Sequence, residues 1–312
     1  MSCILITGAA GLVGQALLDM AGEAGHEIVA GDIREPARLP ENARFHRLDV
    51  RGGDPERIIG EVRPEAVVHL ASIVTPPKGS TRDLEYEVDV TGTCNVLDAC
   101  VAHGVKRLVV TSSGAAYGYH ADNPVPLTED CAVRGNEEFA YSHHKRLVEE
   151  MLAAARVDDP GLEQVVLRVG TVLGPGLDNQ ITALFRRNRL LAIAGAPSPF
   201  VFIWVDDLAR ILLRAATDGP AGIYNVAGDG ALGVDDIAAR LGKNVLRLPA
   251  AFLKAALAVA KPLRLSRYGP EQVRFLQYRP VLDNTRLKTV FGYVPEKSSA
   301  DAFDAWRKSV GL

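Results

Sequence analysis

Five short runs, Cys3 to Thr7, Glu27 to Gly31, Ala66 to Leu70, Arg107 to Thr111 and Gln164 to Thr171, are apolar at most positions rather than at every second one. A strand wetted on one face alternates, whereas a strand covered on both faces has no place for polar side chains. The runs therefore predict a parallel sheet enclosed between two layers of helices. The stretches between them agree, because Gly11 to Ala24, Asp83 to His103 and Glu138 to Ala155 carry helical patterns of crossover length. The expected fold class is α/β, with a doubly wound parallel sheet. A chain of 312 residues, 47% of them hydrophobic, has the material for such a core.

After Val172 the alternation stops at Leu173-Gly-Pro-Gly-Leu177, where two glycines and a proline end the strand. A strand and helix return over Phe200 to Ala216, and Gly222 to Gly228 reads as one more short strand. This divides the chain into a sheet domain, 1–172 plus 199–227, and a smaller discontinuous lobe, 173–198 plus 228–312. The apolar segment Ala250 to Ala260 carries Lys254, is followed by Lys261 and Pro262, and is too short to span a bilayer. It reads as a packed helix.

A net charge of -3 supplies neither a polycation for nucleic acid nor a basic block for an anionic membrane, so the expected partner is a small molecule, with no nucleic acid and no membrane insertion. The start of the chain, Met1-Ser2-Cys3-Ile4, enters an apolar run with no basic leader, which points to the cytoplasm. Cys3, Cys94, Cys100 and Cys131 form no C-x-x-C pair and have no His at ligand spacing, so they read as reduced structural thiols, with no metal.

The first apolar run ends in Thr7-Gly-Ala-Ala-Gly-Leu-Val-Gly14, with glycines three apart where a helix begins. Gly8 permits a tight turn, Gly11 admits a pyrophosphate close to the backbone, and Gly14 lets the helix approach the strand. The helix start at Leu12, Val13 and Gly14 then offers N–H groups and a positive dipole end. Glycine-rich turns also arise for packing alone, and the flanking strand and helix carry the argument here. Asp32 ends the second run, 24 residues past Gly8, where a carboxylate can bond ribose hydroxyls and repel a 2′-phosphate. NAD is thus favoured over NADP, although Asp32 also suits a turn and Arg34 sits two residues on. Asp49 and Val50 end another short run and suit either an adenine border or a surface turn.

Tyr141 and Lys145 stand four apart at the start of a helical pattern and so share a face. A cation there can lower a phenol's pKa from near ~10 toward working pH, making Tyr141 a general acid or base. A surface pair would show the same spacing. Thr111-Ser-Ser113-Gly-Ala-Ala-Tyr-Gly118 leaves the fourth long run at the sheet edge where such folds bind ligands, and its hydroxyls suit either a substrate oxygen or the loop's own turn.

With these motifs the sequence resembles the extended short-chain dehydrogenase/reductase family, which includes NAD-dependent epimerases, dehydratases and 3β-hydroxysteroid dehydrogenases. The resemblance takes in Thr7 to Gly14, His69-Leu-Ala-Ser72, Val90-Thr-Gly-Thr93, Ser113 to Gly118, Tyr141 to Lys145, Arg168 to Pro175 and Val205-Asp-Asp207. It implies a Rossmann-like NAD domain with a C-terminal substrate lobe. It also implies that Ser113 orients the substrate, that Tyr141 carries the proton, and that Lys145 tunes the phenol and holds the nicotinamide ribose. Leu70, Ala71 and Ser72 would then border the cofactor, and the helices around Asp83 to His103 and Glu138 to Ala155 would form a homodimer. Val88, Val96, Leu97, Leu147 and Met151 offer those helices a second apolar side.

Several positions depart from the family pattern. Thr171 stands where many nucleotide-sugar enzymes have Asn, Trp204 where they often have His, and Asp89 where the family usually has Asn beside the cofactor. Gly114 and Ala115 follow Ser113 where sugar dehydratases carry an acidic pair. Thr171 and Trp204 thus join Ser113 as candidate substrate contacts, and the lobe's Leu, Phe and Ala content suggests either a hydrophobic pocket or a plain core. The expected activity is reversible hydride transfer at a hydroxyl or carbonyl carbon of a small, largely apolar substrate. The alternatives are a nucleotide-sugar 4-epimerase using the same three residues, and a non-catalytic dinucleotide sensor or scaffold. Among residues set aside, His143 and His144 read as packing or solvent contacts, Glu149 as an incidental neighbour of Lys145, and Asp206 and Asp207 as helix-capping charges.

Overall fold

The computed structural model describes residues 2–77, 79–263 and 269–312. Along the chain the elements are β1 (Cys3–Thr7), α1 (Leu12–Glu23), β2 (Glu27–Asp32), β3 (Ala43–Arg47), α2 (Asp54–Val62), β4 (Ala66–His69), α3 (Arg82–Tyr86), α4 (Gly92–Ala102), β5 (Arg107–Ser113), α5 (Ala140–Asp158) and β6 (Glu163–Val169). There follow β7 (Thr171–Leu173), α6 (Gln180–Phe185), β8 (Arg189–Ile193), β9 (Phe202–Trp204), α7 (Val205–Ala216), β10 (Gly222–Val226), α8 (Val234–Leu241), β11 (Asn244–Leu248), α9 (Ala250–Ala260), α10 (Gln272–Gln277), α11 (Thr285–Thr289) and α12 (Ser299–Ser309).

Seven strands form one parallel sheet in the order β10-β6-β5-β4-β1-β2-β3. The side-chain period of two puts Ile4 and Ile6 on one face with α1 and α7, and Leu5 on the other with α2, α4 and α5. Both faces are buried, which is why these runs lack alternation. The strand order reverses between β4 and β1, so the glycine turn after β1 and the loop after β4 meet at one crevice at the C-terminal edge.

Outside this sheet, β7 pairs with β9 and β8 with β11, both in parallel. The aromatic residues Phe185, Phe200, Phe202, Phe303 and Trp306 pack together with Trp204 into a separate core. At the C-terminus α12 starts with a Ser298–Asp301 capping box, and its Trp306 indole donates to Leu177 O at 2.9 Å, closing that core.

Two expectations change. The helix expected over Asp83 to His103 is interrupted by a π-helical turn at Glu87–Thr91 between α3 and α4. No residue of α9 is buried, so the segment expected to be a packed helix lies on the surface.

Candidate active site

β1 delivers Thr7 to the crevice, and Gly8 turns the chain at φ 71°. A Cβ at Gly8 would come within 2.7 Å of Ala71 N, and one at Gly14 within 2.3 Å of Gly8 O. Both positions require glycine, because the backbone of the loop after β4 closes on Gly8 and the backbone of Gly8 and Ala9 closes on Gly14. At Gly11, by contrast, a Cβ would meet only Gly8 O, at 3.3 Å, which leaves its open side for a ligand. α1 starts at Leu12 with no side-chain cap and no acidic residue in its first turn. The N–H groups of Leu12, Val13 and Gly14 therefore face the crevice edge with an unopposed dipole, the arrangement a pyrophosphate fits.

Asp32 stands at the end of β2 and reaches this turn: its carboxylate accepts from Ala10 N and Arg34 N, both at 3.0 Å. Asp32 therefore shapes the glycine turn from the C-terminal end of β2. Asp49 is held by Arg51, whose Nη2 donates at 2.6 Å, in a surface turn. That pair does not decide between its two readings, and Val50 beside it is buried against Gly92.

The loop after β4 is tied to the glycine turn. Leu70 N donates to Thr7 O at 3.1 Å, and Leu70 N and Ala71 N also reach the Thr7 hydroxyl. Thr93 donates to Asp89 O at 2.6 Å, so His69 Nε2 must donate to Thr93 Oγ1 at 3.0 Å and Nδ1 must accept from Thr7 Oγ1 at 2.7 Å. Burial, with the Lys145 charge nearby, pushes His69 down to about 3 and keeps it neutral in that role.

Ser113 ends β5, and its hydroxyl accepts from Ala115 N at 3.1 Å in the following short turn. Tyr141 lies in the first turn of α5, and Lys145 follows one turn later with Nζ 5.6 Å from the Tyr141 ring centroid. Lys145 is only 5% exposed, and its Nζ donates to Thr111 O at 2.9 Å. Burial pushes the Tyr141 phenol up to about 12, with Ser113 pulling the other way and the Asp89 charge adding to the rise. Sequence reasoning expected the phenol to be lowered by a cation; the correction is that burial dominates, and the opposing pull comes from the Ser113 hydroxyl. Burial also lowers the Lys145 ammonium, against the opposing charges of Asp89 and Glu149.

Four residues have partners or surroundings that the sequence did not disclose. His144 is fully buried and its Nδ1 lies 3.2 Å from an Asp89 oxygen, which corrects its reading as a packing or solvent contact. Asp89 also accepts from Ser72 Oγ at 2.8 Å and Ile73 N at 2.9 Å. Burial opposes its charge, but the His144 bond, the Lys145 charge and the Ile73 and Ser72 donors outweigh this and hold it below the usual carboxylate range. The signal was present in two unusual residues, Asp89 at an Asn position and His144 beside Lys145, yet only the fold juxtaposes them. Glu149 is engaged by Arg168, with Nη2 at 2.6 Å, and so makes no direct pair with Lys145. Arg279 is the fourth, with its guanidinium 3.8 Å from the Phe200 ring centroid and 5.1 Å from that of Phe275. It donates to Ser198 O at 2.6 Å, its Nε has no partner among the described residues, and burial lowers its pKa to about 9. Phe275 in turn packs edge-on against Tyr119, so this cation borders the aromatic cluster nearest Tyr141.

The two remaining candidates fare differently. Thr171 is half-buried on β7, its N–H bonded to Val201 O at 3.1 Å, leaving the side chain uncommitted. Trp204 is 7% exposed in the aromatic core, with its indole donating to Asp206 at 3.1 Å, so its side chain serves that core. Asp207, expected to cap α7, is instead buried and accepts from Tyr293 OH at 2.7 Å and Glu296 N at 2.8 Å.

Comparison with known proteins agrees with this geometry. The sequence model of the NAD dependent epimerase/dehydratase family matches residues 4–227. An uncharacterized protein of Mycobacterium tuberculosis (strain ATCC 25618 / H37Rv) is 26% identical over 316 residues, covering 99% of this chain and 84% of that protein. The crystal structure of UDP-glucose 4-epimerase with UDP-glucose from Thermotoga maritima superposes with TM-score 0.78 at 22% identity, covering 99% of this chain and 98% of that one. The Thermus thermophilus UDP-glucose 4-epimerase complex with NAD gives TM-score 0.74 at 25% identity, covering 98% of each chain.

Proposed function

The chain belongs to the NAD-dependent epimerase/dehydratase family, and from that premise we propose that it is an NAD-dependent oxidoreductase acting reversibly at a hydroxyl or carbonyl carbon, with Ser113, Tyr141 and Lys145 as its catalytic groups. The observation that carries the reading is the convergence of Ser113, Tyr141 and Lys145 at the sheet edge that also holds the glycine turn. Gly8, Gly11, Leu12, Val13 and Gly14 would hold the pyrophosphate, Asp32 the ribose, and Leu70, Ala71 and Ser72 the nicotinamide side. NAD supplies hydride acceptance when bound. The chain's own residues do the rest: Ser113 orients the substrate oxygen and Tyr141 exchanges its proton. A phenol held near about 12 is protonated at neutral pH and ready to donate in carbonyl reduction. In the oxidative direction it needs a positive field, which Lys145 supplies one helical turn away.

A small, largely apolar substrate fits the aromatic residues around Tyr119 and Phe275. A second reading, the nucleotide-sugar 4-epimerase, is favoured by Arg279, because a half-buried guanidinium with a buried Nε that has no partner, and no carboxylate beside it among the described residues, suits an anionic substrate group. The test is a panel of sterols, small alcohols and UDP-, GDP- and dTDP-sugars, followed by NADH absorbance and product stereochemistry. Net NADH from an uncharged alcohol supports the first reading. Epimerised sugar without net NADH supports the second, and loss of that activity in Arg279→Gln identifies the anion's partner.

We also propose a homodimer through the helical stretches Asp83 to His103 and Glu138 to Ala155. Val96 and Leu97 are used inside the protomer, so the outer apolar contribution comes from the half-buried Val88, Leu147 and Met151. Light scattering at micromolar concentration is expected to give twice the chain mass; a monomer overturns the proposal. Among the described residues no helix is long and apolar enough to cross a membrane, and the proposed site of action is the cytoplasm.

A further inference from the structure

Asp89 is 2% exposed and stands where the family pattern has a neutral Asn. Three donors converge on its carboxylate. Ser72 Oγ at 2.8 Å and Ile73 N at 2.9 Å reach one oxygen, and His144 Nδ1 at 3.2 Å reaches the other. Three donors favour the charged form, so a negative charge is buried between the loop after β4 and α5. Such a charge is costly in the interior unless a cation answers it. Among the described residues no Lys or Arg forms an ion pair with Asp89 directly.

The answering cation is the neighbour of His144 in sequence. Lys145 is buried, and its Nζ bonds a neutral acceptor, Thr111 O. Two anions act on it, Asp89 and Glu149. Glu149 is committed elsewhere, because Arg168 donates to both of its oxygens and balances its charge. That leaves Asp89 as the anion with no cation of its own. The other titratable groups around the site are His69 on β4, which is held neutral, and Tyr119 near the Tyr141 phenol. Around His144 lie Tyr86, edge-on at 5.6 Å, and His143 at 6.2 Å, which faces Arg82. None of these is an anion that could replace Asp89.

We propose that Asp89 is a positioning residue for the Tyr141–Lys145 site: oriented by Ser72, Ile73 and His144, its charge keeps the Lys145 amine in the ammonium form while the phenol gives up its proton. This rests on the reading of Tyr141 and Lys145 as a catalytic pair. Two groups so close titrate as a unit. A negative charge beside them resists loss of the first proton, whichever group releases it, and favours leaving the remaining proton on the lysine. An Asn at this position can accept from Ser72 and Ile73 but adds no charge.

The test is an NMR titration of Lys145 in the full chain carrying isotope-labelled lysine, with the resonance assigned by its loss in Lys145→Met. In Asp89→Asn the Lys145 midpoint is expected to fall by about one pH unit, the effect of removing one nearby opposite charge. Asp89→Ser also keeps an acceptor oxygen without the charge, and its midpoint is expected to fall in the same direction. His144→Asn keeps a donor near the Nδ1 position and leaves the carboxylate charged, so its midpoint is expected to stay within about half a unit of the wild type. An unmoved midpoint in both Asp89 variants, or a fall in His144→Asn as large as theirs, overturns the proposal. With the substrate that the panel identifies, the rise of alcohol oxidation with pH is expected about one unit lower in Asp89→Asn. A profile that loses height without moving is a structural effect and overturns the proposal too. Tyr141→Phe separates the two claims: unchanged turnover there overturns the catalytic reading, whereas the titration tests Asp89 without a substrate.

Discussion

Tyr141→Phe removes one oxygen from a ring already packed beside Lys145 Nζ. NAD affinity is expected to hold while turnover falls by about 100-fold or more, the scale of a lost acid–base group; unchanged turnover would take Tyr141 out of the chemistry. Asp32→Ala removes both the proposed ribose acceptor and the anchor for Ala10 N, so NAD is expected to weaken while NADP gains relative to it. Titrations with both cofactors check this, and a wild type already preferring NADP would refute the reading of Asp32. At this scale the glycines were legible because sterics leave a single residue type at Gly8 and Gly14. The surroundings of His144 and Trp204 were not, since each is set by a tertiary neighbour: Asp89 or the aromatic core.

α5 presents Tyr141, Lys145 and Glu149 on successive turns, and the last of these fixes the helix to the sheet. Arg168 on β6 donates to both Glu149 oxygens, and the two side chains are 5% and 4% exposed. Arg168 also donates to Tyr117 OH at 2.8 Å and Glu129 O at 2.9 Å, joining four segments. Glu149→Gln leaves that guanidinium without its counter-charge and is expected to cost about 3–5 kcal/mol, read by urea denaturation. A loss under about 1 kcal/mol would mean that water reaches the pair. Elements flanked by apolar runs were readable because a strand buried on both faces leaves a plain trace. The π-helical turn at Glu87–Thr91 leaves none; it contains Asp89, whose partners Ser72, Ile73 and His144 are all distant in sequence. α9 misled for a related reason: apolar composition says what a helix can bury, not whether anything covers it.

For the molecule as a whole, His69 couples the protonation of the crevice floor to folding. Its imidazole protonates near 6.5 when unfolded but only at about 3 when folded, where burial and the Lys145 charge oppose it. Between these values the unfolded state binds the extra proton, so this contribution to stability is complete above 6.5 and is lost as pH falls toward 3. His69→Gln keeps a donor for Thr93 and cannot titrate. Between about pH 7 and about pH 4 the wild type is therefore expected to lose more unfolding free energy than the variant, by up to a few kcal/mol. Parallel losses would assign the acid sensitivity to other groups. The doubly wound layout was legible because it follows from the order of runs and crossovers, whereas the side of Arg279 on which a substrate sits depends on contacts 81 residues apart, to Ser198.

The strand order has a consequence during synthesis. Every pair in the seven-stranded sheet is parallel, and the last strand, β10, covers the edge left open by β6. β6 is complete at Val169 and β10 at Val226. At about 5–20 residues per second the ribosome leaves that edge unpaired for roughly 3–11 s. Throughout that interval the backbone of Val165, Val166 and Leu167 offers unpaired donors and acceptors beside apolar side chains, a template for any other nascent chain. Yield of the soluble protein should therefore track the speed of translation between these two strands, and clusters of slow codons placed there should raise the aggregated fraction while leaving the finished fold unchanged.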